Sequence, residues 1–186
     1  MAFAACKSSG RSDGGGILGP PDETEEAART VASANEDLTK IKVLYKENEG
    51  KREELKKAIE ANDAAQVKKI SEDVMYLMND GFDNARSAVD KIEKAQEMNI
   101  NDDYREYLRL KEESLKRELD AFENYRQAAR TLRDNYDPRN AAQRDKVKAD
   151  FTTRVENYRK IMEEARDYSS RANELAKDAI RRQQAQ

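Results

Sequence analysis

Residues 27–59 read AARTVASANEDLTKIKVLYKENEGKREELKKAI, and their rhythm decides the fold. Apolar or small side chains recur at Ala27, Val31, Ala34, Leu38, Ile41 and Tyr45, and again at Leu55 and Ile59. Asn48 and Arg52 hold the two intervening places of the same frame. Steps of four and three alternate throughout, the spacing that keeps one stripe of an α-helix turned toward a partner helix. The frame crosses Gly50 without slipping, so that glycine is expected inside the helix, at a cost of about 1 kcal/mol relative to alanine. A helix of roughly 38 residues is about 57 Å long. So long a rod cannot bury its stripe alone.

The same periodicity returns three times. A turn at Ala61–Asp63, with Asn62 or Asp63 as the cap, precedes a stripe of Val67, Ile70, Val74, Leu77, Gly81, Ala85, Ala88, Ile92 and Ala95. The small residues from Gly81 to Ala88 predict close backbone approach, with a pocket as the alternative. After a break at Met98–Asn101, capped by Asn101, the third stripe is Tyr104, Leu108, Lys111, Leu115, Leu119, Phe122, Tyr125 or Arg126, Ala129, Leu132 and Tyr136. Asp137-Pro138 marks the last turn, with the proline suited to the first helical position. The fourth stripe is Val147, Phe151, Val155, Tyr158, Met162, Ala165, Tyr168, Ala172, Leu175 and Ala179. Asp22, followed by Glu23, Glu25 and Glu26, suits the start of the first helix.

Short links make sequential helices antiparallel. The expected architecture is all-α: an elongated up-down-up-down four-helix bundle over 22–186, with coiled-coil-like seams and helices at about 22–60, 63–97, 101–136 and 138–182. Two long hairpins that pair between chains are the alternative. Residues 1–21 form a separate region, a flexible Gly/Ser-rich tether stiffened at its end by Pro20 and Pro21.

Composition supports paired rods. Charged residues make up 39% of 186, with only 7 glycines and 3 prolines, and the mean hydropathy is -1.08. The 35 basic and 38 acidic residues are interspersed, giving a net charge of -3. No basic stripe of the kind a nucleic acid requires is present, and no apolar run approaches the ~20 residues of a membrane span. Acid-before-base pairs at i,i+4 (Glu47–Lys51, Glu53–Lys57, Asp90–Lys94, Glu112–Lys116 and Glu156–Lys160) each support a helix by about 0.2–0.5 kcal/mol.

Chemistry is harder to find. With 0 histidines, the Glu-x-x-His pairs of di-metal bundles, most zinc chemistry and histidine acid–base catalysis all lack their side chain. Gly14–Gly16 lacks the Lys and Ser/Thr of a phosphate-binding loop. No catalytic residue, metal site, cofactor or small-molecule substrate is therefore expected. One polar layer interrupts the seams: Asn48 and Arg52 lie level with Asp73, Tyr125 and Asp150 or Phe151. An arginine in a narrow seam calls for an acid, so Arg52 is expected to pair with Asp73 or Asp150 in a polar layer that fixes helix register, the alternative being a substrate site at mid-bundle. Most of the aromatic residues fall on or beside seams, whereas Tyr76 and Tyr107 fall off the stripes, where a partner surface is possible.

Phe3-Ala4-Ala5-Cys6, followed by Ser and Gly, resembles the lipobox of bacterial lipoproteins, in which the cysteine becomes the lipidated first residue of the mature chain. The resemblance covers the N-terminal tenth of the chain and implies an anchor at Cys6. That family places a basic region and an apolar stretch of ~7–15 residues before the cysteine. Only five residues stand there, so Met1 then lies inside the apolar stretch; the other reading is a lone cysteine in a polar tail. With an anchor, the topology brings Lys177, Arg181 and Arg182 to the tethered pole, facing a membrane surface.

The function expected from these features is a non-catalytic, lipid-anchored scaffold or partner-binding protein of the bacterial cell envelope, in the periplasm or on the outer surface. A cytoplasmic location is the alternative. Two other functions fit the same rods. One is a structural protein that assembles into fibres or sheets, with Ile17-Leu18 docking on a neighbour. The other is a periplasmic helical chaperone or ligand carrier with an apolar groove.

Overall fold

The computed structural model describes residues 22–184; the tether, Cys6 and Ile17-Leu18 lie outside them. The fold is an all-α four-helix bundle: α1 (Thr24–Glu60), α2 (Ala64–Gln96), α3 (Asp102–Asn135) and α4 (Ala141–Gln184). At 1.5 Å per residue, the 37 residues of α1 span about 55 Å and the 44 of α4 about 66 Å. Among the described residues no helix is long and apolar enough to cross a membrane.

The helix ends follow local hydrogen-bond chemistry. Asp63 accepts from the Gln66 amide at 3.0 Å, and Asn101 from the Tyr104 amide at 2.8 Å. Asn62 closes α1 at φ 55, a left-handed conformation in which asparagine is tolerated. At the first helix the cap position falls to Glu23, while Asp22 accepts from the Thr24 amide at 2.9 Å and its hydroxyl at 2.6 Å. Glu23 also ties this end to the α2–α3 turn: its amide donates to Asn99 O at 3.1 Å, and its carboxylate accepts from the Asn99 amide at 2.7 Å. The fourth helix begins at Ala141, not at Pro138. Asn140 is the cap there, accepting from the Gln143 amide at 3.1 Å, so the proline is left in the turn.

Each helix packs on its neighbours in the chain, α1 on α2, α2 on α3 and α3 on α4. Between α1 and α4, no pair of Cα atoms lies within 8 Å. This side of the bundle is closed only by long side chains, such as Arg166 of α4, which donates to the Tyr45 hydroxyl at 3.3 Å. The consequence is visible along α1. Ala27, Val31, Ala34, Ile41, Asn48 and Leu55 are buried, but beyond Val31 the alternate places, Leu38, Tyr45, Arg52 and Ile59, are half-buried. Asp37 and Ala58 are buried in their stead, each one position earlier than a frame residue. The buried face of α1 is thus rotated toward α2, its one close neighbour.

On α4, which shares the open side, Val147, Tyr158, Ala165 and Ala172 are buried while Phe151, Val155, Met162, Tyr168, Leu175 and Ala179 are half-buried; the stripes of α2 and α3 lie deeper. Val67, Val74, Ala85, Ala88 and Ala95 are fully enclosed on α2, as are Leu108, Tyr125, Ala129 and Leu132 on α3 and Ala172 on α4. Helix α3 lies between two neighbours and buries extra residues, Leu110, Ala121 and Ala128. At the choice between Tyr125 and Arg126, the tyrosine is buried and the arginine turns to Asn79 at 3.1 Å and to Glu123. Of the expected i,i+4 ion pairs only Glu112–Lys116 forms among the described residues. Lys51 reaches Asp73 and Glu54 in place of Glu47.

Gly50 is helical, and a Cβ built on it meets nothing within 4 Å. Gly50→Ala is therefore expected to stabilise the protein by about 1 kcal/mol, the helix-propensity difference without a steric offset. Urea denaturation followed by circular dichroism measures it.

Candidate functional site

The polar residues of α1 sort into two groups according to the side they face. Toward α2, Asp37 has a side chain only 6% exposed and accepts from Lys91 at 2.6 Å, Ser87 at 2.7 Å and Lys40 at 3.2 Å. Burial pushes its carboxyl up, but these bonds outweigh it and hold the group below the usual aspartate value. Lys91 also donates to Ser33 O at 3.4 Å. Sequence reasoning missed this cluster because Asp37 sits one place off the frame.

The layer expected around Arg52 is arranged differently. Asp73 pairs with Lys51 at 3.0 Å and Asp150 with Arg154 at 3.0 Å. Arg52 has neither carboxylate within 4.0 Å, because the rotation of α1 presents Lys51 to α2 and turns Arg52 to the open α4 side. Asn48 is buried at 1% exposure. The layer exists, but its acids belong to other cations.

On α3 the open side meets Lys111, Glu118 and Tyr125, spaced one heptad apart. Lys111 donates to Asn173 at 3.1 Å, and burial lowers its pKa. Burial pushes the half-buried Glu118 up to about 7, against the opposing pull of Lys111 and Lys42. A raised carboxyl pKa means that the fold binds this proton more tightly than the unfolded chain does. Stability from this group is therefore complete below the ordinary glutamate value near 4.3 and is lost as pH rises toward 7. After discounting for partial exposure, Glu118→Gln is expected to gain about 1–2 kcal/mol at pH 8 and almost nothing at pH 4. Paired urea titrations at the two pH values check it.

Tyr107 belongs to the core edge, not to a free surface: its ring stacks on Tyr104 with centroids 5.9 Å apart. At the pole that holds the start of α1 and the α2–α3 turn, Arg181 pairs with Asp178 at 3.1 Å and Arg182 with Asp103 of α3 at 3.0 Å, while Lys177 is exposed. The two arginines thus spend their charge on the protein's own carboxylates.

The outer face between α1 and α2 is different in kind. Val43 is 54% exposed and Tyr76 64%, the large apolar side chains most open to solvent among the described residues. Two adjoining depressions run beneath them, one lined by Val43 and Leu44, the other by Gly50, Tyr76 and Leu77. Glu47, Asp80 and Asp83 rim them, and none of the three has an ion-pair partner within 4.0 Å among the described residues. Two cations also line them: Lys40, which pairs with Asp37, and Lys51, which pairs with Asp73 and Glu54. An exposed apolar patch rimmed by carboxylates that lack an ion pair sets this face apart from the rest of the described surface.

No family model, curated protein or solved structure matches the chain.

Proposed function

We propose that the protein is a non-catalytic helical module that binds a partner along the outer face of α1 and α2, and that the docking segment is a basic amphipathic helix. The observation that carries this reading is the exposure of Val43 and Tyr76 over an acid-rimmed floor. An apolar face laid into a groove, with lysines meeting the rim, is a common mode of helix recognition. Fluorescence anisotropy with a labelled amphipathic Leu/Lys peptide tests it. Val43→Ser/Tyr76→Ser is expected to weaken binding at least tenfold, and Asp80→Lys/Asp83→Lys to weaken it and flatten its salt dependence. Equal affinity for the wild type and both variants would remove the face from consideration.

The lipobox-like Cys6 extends the proposal to a module tethered in a bacterial envelope, where the Gly/Ser segment is the leash and the bundle the reach. Radiolabelled palmitate entering the full-length gene product, and failing to enter after Cys6→Ala, is the expected result. Equal labelling of both would detach the anchor from this cysteine.

A further inference from the structure

Two tyrosines stand at the heart of the bundle with nothing to bond. Tyr125 of α3 and Tyr158 of α4 are 0% and 2% exposed, with ring centroids 5.1 Å apart. Both hydroxyl oxygens are buried without a hydrogen-bond partner, and so is the side-chain carbonyl oxygen of Asn48 on α1. A buried hydroxyl left unpaired is costly, and such groups in a folded protein call for an explanation.

The charges around them have one sign. Arg52 and Arg159 act on Tyr125, and Arg52 and Arg166 on Tyr158, pulling down hydroxyl pKa values that burial has pushed up. Neither Arg52 nor Arg159 has a carboxylate within 4.0 Å among the described residues, and Arg166 is spent only on the Tyr45 hydroxyl. Glu118, two helical turns before Tyr125 on α3, is held toward its neutral form by burial. The α1 and α4 backbones stay apart here, with the Arg166–Tyr45 bond as the side-chain bridge across the seam.

We infer that this level of the α1–α4 seam is a binding site for an oxyanion, a carboxylate or phosphate ester, that enters between α1 and α4. Arg52, half-buried, supplies the charge, and the Tyr125 and Tyr158 hydroxyls donate the directional bonds that now go unmade. Arg159 and Arg166 stand at the mouth. The adjacent ring of Phe151, 6.4 Å from that of Tyr125, suits an aromatic body behind the anion. This site is independent of the outer face of α1 and α2.

Calorimetric titration of the protein with benzoate, phenyl phosphate and inorganic phosphate, at constant ionic strength in chloride, tests the site. Saturable binding of at least one is expected, and comparison of the three separates carboxylate from phosphate and charge from aromatic body. Arg52→Gln is expected to weaken it at least tenfold, and Tyr125→Phe/Tyr158→Phe to weaken it to a similar degree. The same double variant, without ligand, is expected to melt several degrees higher than wild type, since it deletes the two orphan hydroxyls. That rise marks hydroxyls kept for a ligand at a cost in stability, and shows that the loss of binding is not a loss of folding. No saturable heat with any probe, or unchanged affinity in both variants, overturns the site. So does a double variant that melts lower, because its hydroxyls were then already satisfied.

Discussion

Asp37→Ala is expected to destabilise the protein by about 2–3 kcal/mol at pH 7, a loss of roughly 4–12 °C in thermal midpoint for a domain of this size. The carboxylate is nearly enclosed and holds three donors, Lys91, Ser87 and Lys40. Removing it leaves the Lys91 ammonium, whose side chain is only 29% exposed, without a counter-charge and with the Ser33 carbonyl at 3.4 Å as its remaining acceptor. The estimate lies below the usual 3–5 kcal/mol for a broken buried pair because Lys40, 62% exposed, returns to water freely. Two further results separate a stranded charge from a lost packing contact. Asp37→Ala/Lys91→Met should recover much of the loss, since no ion is then left behind. The deficit should also depend on pH with a definite sign. The folded carboxyl lies below its ordinary value, so the pair contributes fully above about pH 4 and fades as pH falls through the folded pKa. Wild type and variant should therefore converge in acid. A constant deficit from pH 7 to pH 3 would point to packing and away from the ion cluster.

This cluster also shows where the sequence stopped being readable. Four helices, their lengths and two of their caps follow from local rules, because a stripe of period 3.5 and an Asp or Asn before it act within one segment. What no single segment encodes is how far apart two stripes come to rest. The α1 frame assigns Leu38, Tyr45, Arg52 and Ile59 to the seam. The packed structure turns the helix by about one residue, so that Asp37, Leu44, Lys51 and Ala58 face α2 more closely. One rotation thus explains two differences at once: the unforeseen Asp37–Lys91 pair and the transfer of Asp73 from Arg52 to Lys51. It goes with the separation of α1 from α4, helices remote in sequence that the Arg166–Tyr45 bond bridges. The start of α4 was misplaced for a more local reason. The reading from Pro138 passes over Asn140, whose side chain accepts from the Gln143 amide and sets the start at Ala141, after the Pro138–Arg139 turn. The orphan tyrosines were legible as core residues but not as orphans, since partnership depends on every neighbour. The outer-face patch was half legible: Tyr76 fell off its stripe, but nothing in the periodicity joined it to Val43.

The small residues of α2 support a second large prediction, because here sequence and packing agree. A Cβ built on Gly81 would sit 3.3 Å from Phe122 Cε2 of α3, tighter than an ordinary carbon contact. Phe122 is 3% exposed, so its ring has little room to retreat. For Gly81→Ala, the gain in helix propensity of about 1 kcal/mol is offset by this crowding, and a change near zero is expected. Gly81→Leu drives three more carbons into the ring and should cost about 2–3 kcal/mol through overpacking. Phe122→Ala should cost about 3–5 kcal/mol, the loss of a buried ring together with the cavity it leaves. Combined, the leucine occupies space the ring has vacated, so Gly81→Leu/Phe122→Ala should be less destabilised than the sum of the two by about 1–2 kcal/mol. Urea unfolding of the four proteins supplies the cycle. Simple additivity would mean that the two side chains do not share one space, and that the close approach of α2 and α3 is set elsewhere, at Ala85 and Ala88. Coupling of the expected sign makes glycine at 81 the element that lets an aromatic residue, and not an aliphatic one, occupy this level of the bundle.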